Sequence, residues 1–448
     1  MGAAQPSLSR APLAGGARAD APPGPRGLEL MALLNGIRRD RIAVVSRLRR
    51  QYGAVAQIVL GPVRLVVVSD AALARDILRD TTTFAAKGLG LHEARYFLGD
   101  GLLTASSGPS WSEARSALAG AFRRQRVDSF LDTAASATDE ALDSLRRAGN
   151  GAAVDVQPLM ARIAFRTIEQ AVFGSRSDER ADETIADCET LSRWVEARFL
   201  MPIEALTALS WALSPRVRRA ARRFAGHGVP SSAAAVPDAL RERGLAREDQ
   251  LRDQIRTVLL AGFETTAATL CWTLDLLARH PHWAGRVAAE ARAHFADDGA
   301  DAAPLAITRA AVKEALRLYP PVWAIPRRAA AATQLGCWRI ERGAQVLINM
   351  HGIHRDAATF AKPDVFDPGR FLGEGGDPPG YMPFGIGARQ CIGLHVAQAE
   401  AVYVVARLLA AVRIAPATDA TPALAGLTLR PRHGLWLRIE PARHDPQA

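Results

Sequence analysis

The sequence predicts a mainly α fold with a small β portion (α+β class), and three observations lead to this prediction. Hydrophobic residues make up 48% of the 448 positions, which is enough for a sizeable core. Apolar residues recur at helical spacing through the middle of the chain, whereas runs typical of strands lie near both ends. No segment after residue 28 is rich enough in Pro, Gly or Ser to divide the chain. We therefore expect one domain over residues 28–440, between a disordered arm (1–27) and a tail (441–448).

The elements of the first half follow in order. "RDRIAVVSRLRRQYG" predicts an amphipathic helix, and "AVAQIVLG" and "RLVVVSD" predict two strands separated by a Gly-Pro turn. The helix "DAALARDILRD" comes next. Helix then follows helix, over Trp111–Phe122, "DSFLDTAASATDEALDSLRRAG", "QPLMARIAFRTIEQAVFG" and a long run from Leu251 to His280.

The second half returns to strands. "ATQLGCWRI" and "AQVLINMH" predict strands after Pro326, and "LTLRPRHGLWLRI" predicts a hairpin. "LHVAQAEAVYVVARLLAAV" predicts an apolar helix between them, and "FAGHGVPSSAAAVPDAL" a surface loop. The chain has no internal repeat.

Composition excludes several classes of protein. No run of eighteen or more uncharged apolar residues is present, and the first residues lack the apolar stretch of a secretory signal, so we expect no membrane span and no export. The net charge is +10, but the sequence has no recognisable nucleic-acid-binding motif, so we expect no nucleic-acid partner. No GxGxxG or P-loop follows a predicted strand, so no flavin or nicotinamide domain is expected. Four widely spaced cysteines argue against a disulfide framework and fit a reducing cytoplasm: Cys188, Cys271, Cys337 and Cys391.

The stretch "PFGIGARQCIG" places Cys391 in a glycine-rich loop directly before the apolar helix. Gly385, Gly387 and Gly393 permit positive φ angles or a close approach to a bulky group. A helix start also favours a thiolate over a thiol. The alternative is a turn with an incidental buried cysteine, and the loop alone leaves both interpretations open.

The stretch "LLAGFETTAATLCWTLDLLARH" is apolar on all sides and predicts a buried helix. Glu264 and Gly262 each carry a penalty there, since a buried carboxylate and a mid-helix glycine both cost free energy. Such penalties are typical of functional sites. The alternative is structural, with Thr265 bonded back to the preceding turn and Gly262 serving close helix packing.

Three further motifs are weak when taken singly. "KEALRLYPPV" carries Glu314 and Arg317 three residues apart on a helix, which is common on surfaces. "FDPGRF" places Arg370 in a turn, and "WSEAR" places Trp111 and Arg115 on one helical face, where an indole N–H and a guanidinium could bind an anion.

In this order "AGFETT", "EALR", "FDPGRF" and "FGIGARQCIG" resemble the motif series of the cytochrome P450 haem-thiolate monooxygenases, and the last matches every fixed position of the haem-binding loop. The resemblance runs from about Pro22 to Ile439 and is strongest to soluble bacterial members. It implies their fold, with haem b (iron protoporphyrin IX) held between the "AGFETT" helix and the cysteine loop. The sequence departs from the family pattern at three places. The region Pro215–Leu251 is shorter than usual, Gly369 stands where an acidic residue is commoner, and Phe263 stands where His is frequent.

The resemblance also implies roles for individual residues. Cys391 would ligate the iron as a thiolate, Phe384 would shield the sulfur, and Gly393 would let the next helix pass close to the porphyrin. Arginines and an indole would meet the haem propionates. The implied cofactor-binding residues are Trp111, Arg115, Ala261, Gly262, Arg327, Phe384, Gly385, Arg389, Cys391 and Gly393.

By the same resemblance, Glu264 and Thr265 are the acid–alcohol pair that delivers protons during oxygen activation. The small residues Ala261 and Gly262 would leave room for dioxygen. A buried network would support the cysteine loop, and its members are Glu314, Arg317 and Arg370.

The implied substrate pocket is apolar, which predicts a small to medium lipophilic substrate that is hydroxylated or epoxidised: a terpenoid, fatty acid, steroid or polyketide of secondary metabolism. Lys87, His92 and Arg95 could anchor a carboxylate at its mouth, with plain surface exposure as the alternative. The expected lining residues are Leu89, Leu91, Phe97, Leu102, Val258, Leu259, Phe263, Val322, Trp323 and Ile325.

Electrons would come from a separate ferredoxin or flavodoxin with its reductase, because the chain has no flavin motif. Arg123, Arg124 and Arg126 are candidates for docking it, with solvated surface charge as the alternative. We expect a cytoplasmic monomer. Two alternatives remain, a peroxide-driven enzyme and a haem-based sensor or carrier, and a zinc site would have to use Cys391, His395 and the histidines of "HGIH".

Overall fold

The computed structural model of the protein describes residues 21–88, 90–174, 178–197, 204–226, 234–245, 247–296, 304–373 and 375–442. Helices account for 57% of the structure and strands for 12%, which confirms the mainly α class with a small β portion. The helices within the described ranges are α1 (Gly27–Arg39), α2 (Arg41–Tyr52), α3 (Ala71–Arg79), α4 (Arg95–Leu98), α5 (Pro109–Ala121), α6 (Val127–Ala148), α7 (Gln157–Phe173), α8 (Asp178–Glu196), α9 (Glu204–Ala212), α10 (Pro215–Ala225), α11 (Ala235–Arg241), α12 (Glu248–Arg279), α13 (Pro281–Ala296), α14 (Ala306–Leu318), α15 (Met350–Ile353) and α16 (Leu394–Ala411).

In the part of the chain that the structure describes, the strands form one larger sheet and three smaller ones. In the larger sheet the order is β1-β2-β8-β5-β3, with β2 and β8 parallel and the other neighbours antiparallel. The smaller sheets are β4-β12-β9, β6-β7 and β10-β11. The strands are β1 (Val55–Leu60), β2 (Val63–Val68), β3 (Ala86–Lys87), β4 (Ala153–Asp155), β5 (Ile325–Arg328), β6 (Thr333–Leu335), β7 (Trp338–Ile340), β8 (Gln345–Ile348), β9 (Val412–Pro416), β10 (Ala423–Ala425), β11 (Leu429–Pro431) and β12 (Trp436–Pro441).

Two strand predictions differ from the structure. "ATQLGCWRI" is not one strand but the hairpin β6–β7, because Gly336 turns the chain with φ +60°. "LTLRPRHGLWLRI" is not a hairpin, since β11 pairs with β10 while β12 pairs with β4 and β9. Asp155 at the end of β4 accepts a hydrogen bond from the Leu435 amide at 2.9 Å, which draws β12 away from β11.

The predicted disordered arm reaches too far along the chain. The amide of Gln57 donates to the Pro23 carbonyl at 2.8 Å, and Gly24 lies so close that a Cβ there would be 1.7 Å from the Gln57 oxygen. The segment from residue 21 to α1 therefore lies against β1. At the other end β12 continues to Pro441, one residue beyond the predicted boundary. Residues 1–20 and 443–448 lie outside the described ranges.

The region predicted as the surface loop "FAGHGVPSSAAAVPDAL" is partly helical. Its last residues form α11, in which Val236 and Leu240 are buried. Residues 227–233 lie outside the described ranges. The side chains of α11 pack in the same core cluster as those of α7 and α8.

The long helix α12 lies between two parts of the core. Its C-terminal half, with Leu270 and Leu277, packs with α6, α14 and α16, and its N-terminal half, with Ile255 and Leu259, packs with α7 and α8. Two described helices, α12 and α16, are long and apolar enough to cross a membrane by length and composition, with 78% and 50% of their most apolar windows buried in the protein. Buried core helices meet the same criterion.

Candidate active site

A cavity between α12 and the cysteine loop brings the sequence motifs together. Residues from α5, α7, α12, α16, the segment before β5 and the turn after β10 line it. The motifs therefore converge although they lie far apart in the chain. The predicted residues that line this cavity are Trp111, Arg115, Ala261, Gly262, Glu264, Thr265, Arg327, Phe384, Gly385, Arg389, Cys391 and Gly393.

The cysteine loop is a tight turn that presents Cys391 to the cavity. The amide of Cys391 donates to the Phe384 carbonyl at 2.9 Å. Gly385 and Gly387 have φ angles of +66° and +72°, which only glycine adopts easily, and a Cβ on Gly387 would lie 2.9 Å from the Leu78 carbonyl of α3. The glycines therefore serve the turn and its packing on α3.

The thiol of Cys391 has a mixed electrostatic environment. Cys391 is exposed to the cavity, but desolvation by the protein around the sulfur raises its pKa, while the Gly393 amide and the Arg115 guanidinium lower it. The position before α16 thus does not by itself make a thiolate. A bound cation at the sulfur would be needed to hold the ionised form.

Arg389 and Arg115 flank the loop above the Trp111 ring. Arg389 donates to Ser107 Oγ at 2.8 Å and to the Ala105 carbonyl at 3.1 Å, and its guanidinium lies 4.3 Å from the Trp111 ring centre. Its buried Nη1 has no hydrogen-bond partner. Arg115 donates to the Gln390 carbonyl at 2.7 Å.

Lys87 and Arg327 complete a cluster of four cations. They lie opposite each other in the β3–β5 ladder, and both line the cavity. Burial lowers the pKa of Arg327 to about 10, and it lowers that of Lys87 well below its usual value, with further lowering by Arg389, Arg327 and Arg115. Among the described residues no carboxylate forms an ion pair with any of the four, so the cluster fits an anionic ligand.

Of the three side chains considered for the mouth of the pocket, Lys87 lines the cavity and the other two have the plain surface exposure that was the alternative. Lys87 belongs to the cation cluster rather than to the mouth, and His92 and Arg95 are exposed and do not line the cavity. Arg95 pairs with Asp100. The Trp111 N–H is donated to the Leu102 carbonyl at 3.2 Å, so it is the ring of Trp111, not its N–H, that faces the cluster.

On α12 the acid and the alcohol have separate partners. Glu264 Oε1 accepts a hydrogen bond from Ser192 Oγ at 2.6 Å, and Thr265 Oγ1 donates to the Ala261 carbonyl at 2.7 Å. Burial raises the pKa of Glu264 to about 7, partly opposed by the Ser192 hydrogen bond and by Arg430. Glu264 can therefore exchange a proton near neutral pH.

Gly262 brings α7 close to α12. A Cβ at this position would lie 2.7 Å from Ile168 Cγ1, which is closer than real side chains approach. Gly262 and Ile168 both line the cavity. The glycine thus sets the spacing of the two helices at the cavity wall, as the structural alternative anticipated.

Behind the cysteine loop lies the network of Glu314, Arg317 and Arg370. Glu314 and Arg317 are 0% exposed and joined by two hydrogen bonds of 2.8 Å, and Arg370 Nε lies 3.2 Å from Glu314 Oε1. Arg317 also donates to the His354 carbonyl at 2.9 Å, and His354 Nε2 accepts from the Met382 amide at 3.1 Å. Met382 directly precedes the cysteine loop, so the network is tied to it.

The predicted pocket residues divide according to the face of the helix or loop they occupy. Three of them are buried in the core and do not line the cavity: Phe97 of α4, and Leu259 and Phe263 of α12. Leu259 and Phe263 lie on the face of α12 opposite to the cavity, whereas Val258, Ala261 and Thr265 lie on the face that borders it. Leu89 lies outside the described residues. The predicted residues that line the cavity are Leu91, Leu102, Val258, Val322, Trp323 and Ile325.

Sequence reasoning missed a second buried acid, Glu400 on α16. It lines the cavity, its Oε1 has no hydrogen-bond partner, and burial raises its pKa to about 8, partly opposed by Thr167. An acid inside an apolar helix is the signal that singled out Glu264, and it applied here too. The turn Gly426–Thr428 also borders the cavity. Neither this turn nor Ser192 has a residue type that would mark it as functional in the sequence.

A sequence model of the family described as Cytochrome P450 matches residues 22–226 and 238–437. The chain belongs to the cytochrome P450 family. Cyclooctatin synthase of Streptomyces melanosporofaciens is 28% identical over 433 residues, which is 88% of this P450 and 89% of the relative. The chloroplastic protein LUTEIN DEFICIENT 5 of Arabidopsis thaliana is 28% identical, with 87% of this chain and 72% of the relative covered. The crystal structure of CYP175A1 from Thermus thermophilus matches with a TM-score of 0.74 and 26% identity, over 93% of this chain and 100% of that chain.

Membership makes this P450 a haem-dependent monooxygenase, and the cavity fits a haem. Cys391 offers a sulfur ligand, and the cation cluster with the partnerless Arg389 Nη1 suits two propionates. A zinc site receives no support, since no group of three or more metal-ligating side chains occurs among the described residues. His354 of "HGIH" instead accepts a hydrogen bond from the Met382 amide.

Proposed function

We propose that this P450 uses haem b to insert one oxygen atom of O2 into a lipophilic small molecule. The overall reaction converts RH, O2, two electrons and two protons into ROH and water. The observation that carries the proposal is that one cavity contains the Cys391 thiol together with Glu264 and Thr265 of α12. A sensor or carrier would need no such acid.

When bound, the haem supplies the iron that binds and activates dioxygen. Cys391 would be its thiolate ligand. The cation cluster (Lys87, Arg115, Arg327 and Arg389) would hold the propionates by charge-assisted hydrogen bonds, with the Trp111 ring beneath.

Glu264 and Thr265 would deliver the protons. Because the pKa of Glu264 is about 7, its carboxyl can both take up and release a proton at neutral pH. The Thr265 hydroxyl lies beside it along the helix. A peroxide-driven enzyme is the second candidate, but hydrogen peroxide already brings two hydrogens, so the acid–alcohol pair favours O2 with external electrons.

The substrate we propose is a neutral terpenoid of secondary metabolism. The cavity walls around α12 are apolar, with Leu91, Leu102, Val258 and Leu427 among them. Two relatives named cyclooctatin synthase and cyclooctat-9-en-7-ol 5-monooxygenase, both from Streptomyces melanosporofaciens, support this class. A fatty acid is less favoured, because Lys87 is assigned to the propionates.

Electrons would come from a ferredoxin or flavodoxin with its reductase. The enzyme itself would be a cytoplasmic monomer with a single domain. An acidic partner could dock at the arginines between α5 and α6, which are exposed and close to the cavity-lining Arg115 and Phe122: Arg123, Arg124 and Arg126.

The test is the absorption spectrum of the reduced protein under carbon monoxide. Wild type and Cys337→Ala, which removes an exposed cysteine, are expected to give the thiolate-type spectrum. Cys391→Ala is expected to lose that spectrum and all product formation. A retained thiolate-type spectrum in Cys391→Ala would exclude this ligand. A terpenoid library is then screened for the spectral shift that a substrate causes, and a shift only with multiply charged compounds would exclude the proposed substrate class.

A further inference from the structure

The C-terminal end of α8 reaches across to α12 and to the cavity wall. Ser192 and Glu196 lie one helical turn apart and are 1% and 8% exposed. Ser192 Oγ donates to Glu264 Oε1 at 2.6 Å. Glu196 Oε1 accepts hydrogen bonds from Arg430 at 2.6 Å and from the Leu427 amide at 3.0 Å. One turn of α8 therefore holds both the acid and the turn after β10.

The hydrogen bonds orient Glu264 toward α8. Its Oε1 is joined to Ser192, whereas the Thr265 hydroxyl is joined to the Ala261 carbonyl on its own helix. The acid and the alcohol, although adjacent in the chain, are thus each held by another group.

We propose that Ser192 is a positioning residue for the reaction, which holds the Glu264 carboxyl against α8 and controls its release toward Thr265. This inference rests on the proposed role of Glu264 in proton delivery. The geometry favours Ser192 over its neighbours, because its hydroxyl is the group that touches the carboxyl, while Arg430 is engaged by Glu196.

The charged groups that act on Glu264 fix the sign of the expected effect. Arg430 on β11 favours the ionised carboxyl, and Glu196 and Glu189 on α8 oppose it; the buried Cys188 of α8 lies near as a neutral thiol. A hydroxyl donor stabilises the ionised form. Loss of the Ser192 hydroxyl is therefore expected to raise the pKa of Glu264.

The test compares variants of the haem-loaded protein. Ser192→Ala removes the donor and Ser192→Thr keeps it. Thr190→Ala is the matched control, since it removes a hydroxyl of the same helix that bonds back to the Ala186 carbonyl at 3.0 Å. The infrared band of the protonated Glu264 carboxyl is identified as the band that is absent from Glu264→Gln. The pH midpoint of that band is measured together with the pH profile of coupling, the ratio of product formed to electrons consumed.

Ser192→Ala is expected to raise the midpoint by about one pH unit, a tenfold change in proton affinity, because a hydrogen bond to a charged group is lost. The alkaline limb of the coupling profile is expected to move by the same amount, and Ser192→Thr and Thr190→Ala to stay at the wild-type values. If Ser192→Ala binds no haem, Ser192→Cys is used instead, with a smaller shift of the same sign.

The outcomes separate this inference from the proposed function. If Glu264→Gln alters coupling while Ser192→Ala leaves both the midpoint and the profile unchanged, the positioning role is refuted and the proposed function stands. If Glu264→Gln itself leaves coupling unchanged, the role of Glu264 fails and the inference fails with it.

Discussion

Replacing Glu314 by glutamine is expected to destabilise the folded protein by about 3–5 kcal/mol, the typical cost of stranding a buried charge. Glu314 is 0% exposed and accepts two hydrogen bonds from the equally buried Arg317, one from Arg370 at 3.2 Å and one from the Asp367 amide at 2.9 Å. Glutamine keeps the shape but turns one acceptor into a donor. Two arginines would then lack a counter-charge in the interior.

The assay is urea unfolding of the haem-loaded protein, with the thiolate-type carbonyl spectrum as a second readout. Glu341→Gln is the control, because its pair with Arg339 is 44% and 60% exposed and is expected to contribute less than about 0.5 kcal/mol. Since Arg317 is tied to the cysteine loop through His354 and Met382, the carbonyl spectrum is expected to be lost at lower urea concentration. A cost below about 1 kcal/mol for Glu314→Gln would refute the supporting role.

Three further predictions concern α12, α16 and the surface. Gly262→Ala is expected to cost about 1–3 kcal/mol in thermal unfolding, because its Cβ would lie 2.7 Å from Ile168, and Ile168→Val in the same chain is expected to recover part of it; an unchanged melting temperature would contradict the close packing. Burial raises the pKa of Glu400 from an ordinary 4.5 to about 8, so its contribution to the wild-type free energy of unfolding is expected to fall as pH rises between these values, and the curve of Glu400→Gln is expected to fall less steeply, since Glu264 still titrates there; parallel curves would contradict this. The rate of reduction by an acidic redox partner is expected to fall as the salt concentration rises. This salt dependence is expected to weaken when the exposed Arg123, Arg124 and Arg126 are replaced by glutamine. A wild-type rate that does not depend on salt would exclude electrostatic steering.

The sequence was most informative where chemistry restricts the residue type. Cys391 among glycines and Glu264 in an apolar helix are costly arrangements, and both line the cavity. It was less informative about the faces of α12, since Leu259 and Phe263 are as apolar as the cavity-lining Val258. Helical spacing counted from Thr265 would have separated them.

Contacts between distant segments could not be predicted from local pattern. Ser192 meets Glu264 across 72 positions, and an ordinary serine on a mixed helix gives no sign of this. The strand β12 pairs with β4, which lies far earlier in the chain, rather than with the adjacent β11. A run of apolar and β-branched residues indicates a strand but not its partner.

The cation cluster has a consequence for how the cell produces this protein. Before haem insertion Lys87, Arg115, Arg327 and Arg389 repel one another, since Arg327 is buried, the other three are half-buried, and among the described residues no carboxylate forms an ion pair with them. Capture of the dianionic porphyrin would therefore drive the last stage of maturation around β3 and β5. Cells starved of iron or porphyrin precursors would accumulate an immature form that is loosened there and open to proteolysis. Multivalent anions such as sulfate would protect that form during purification.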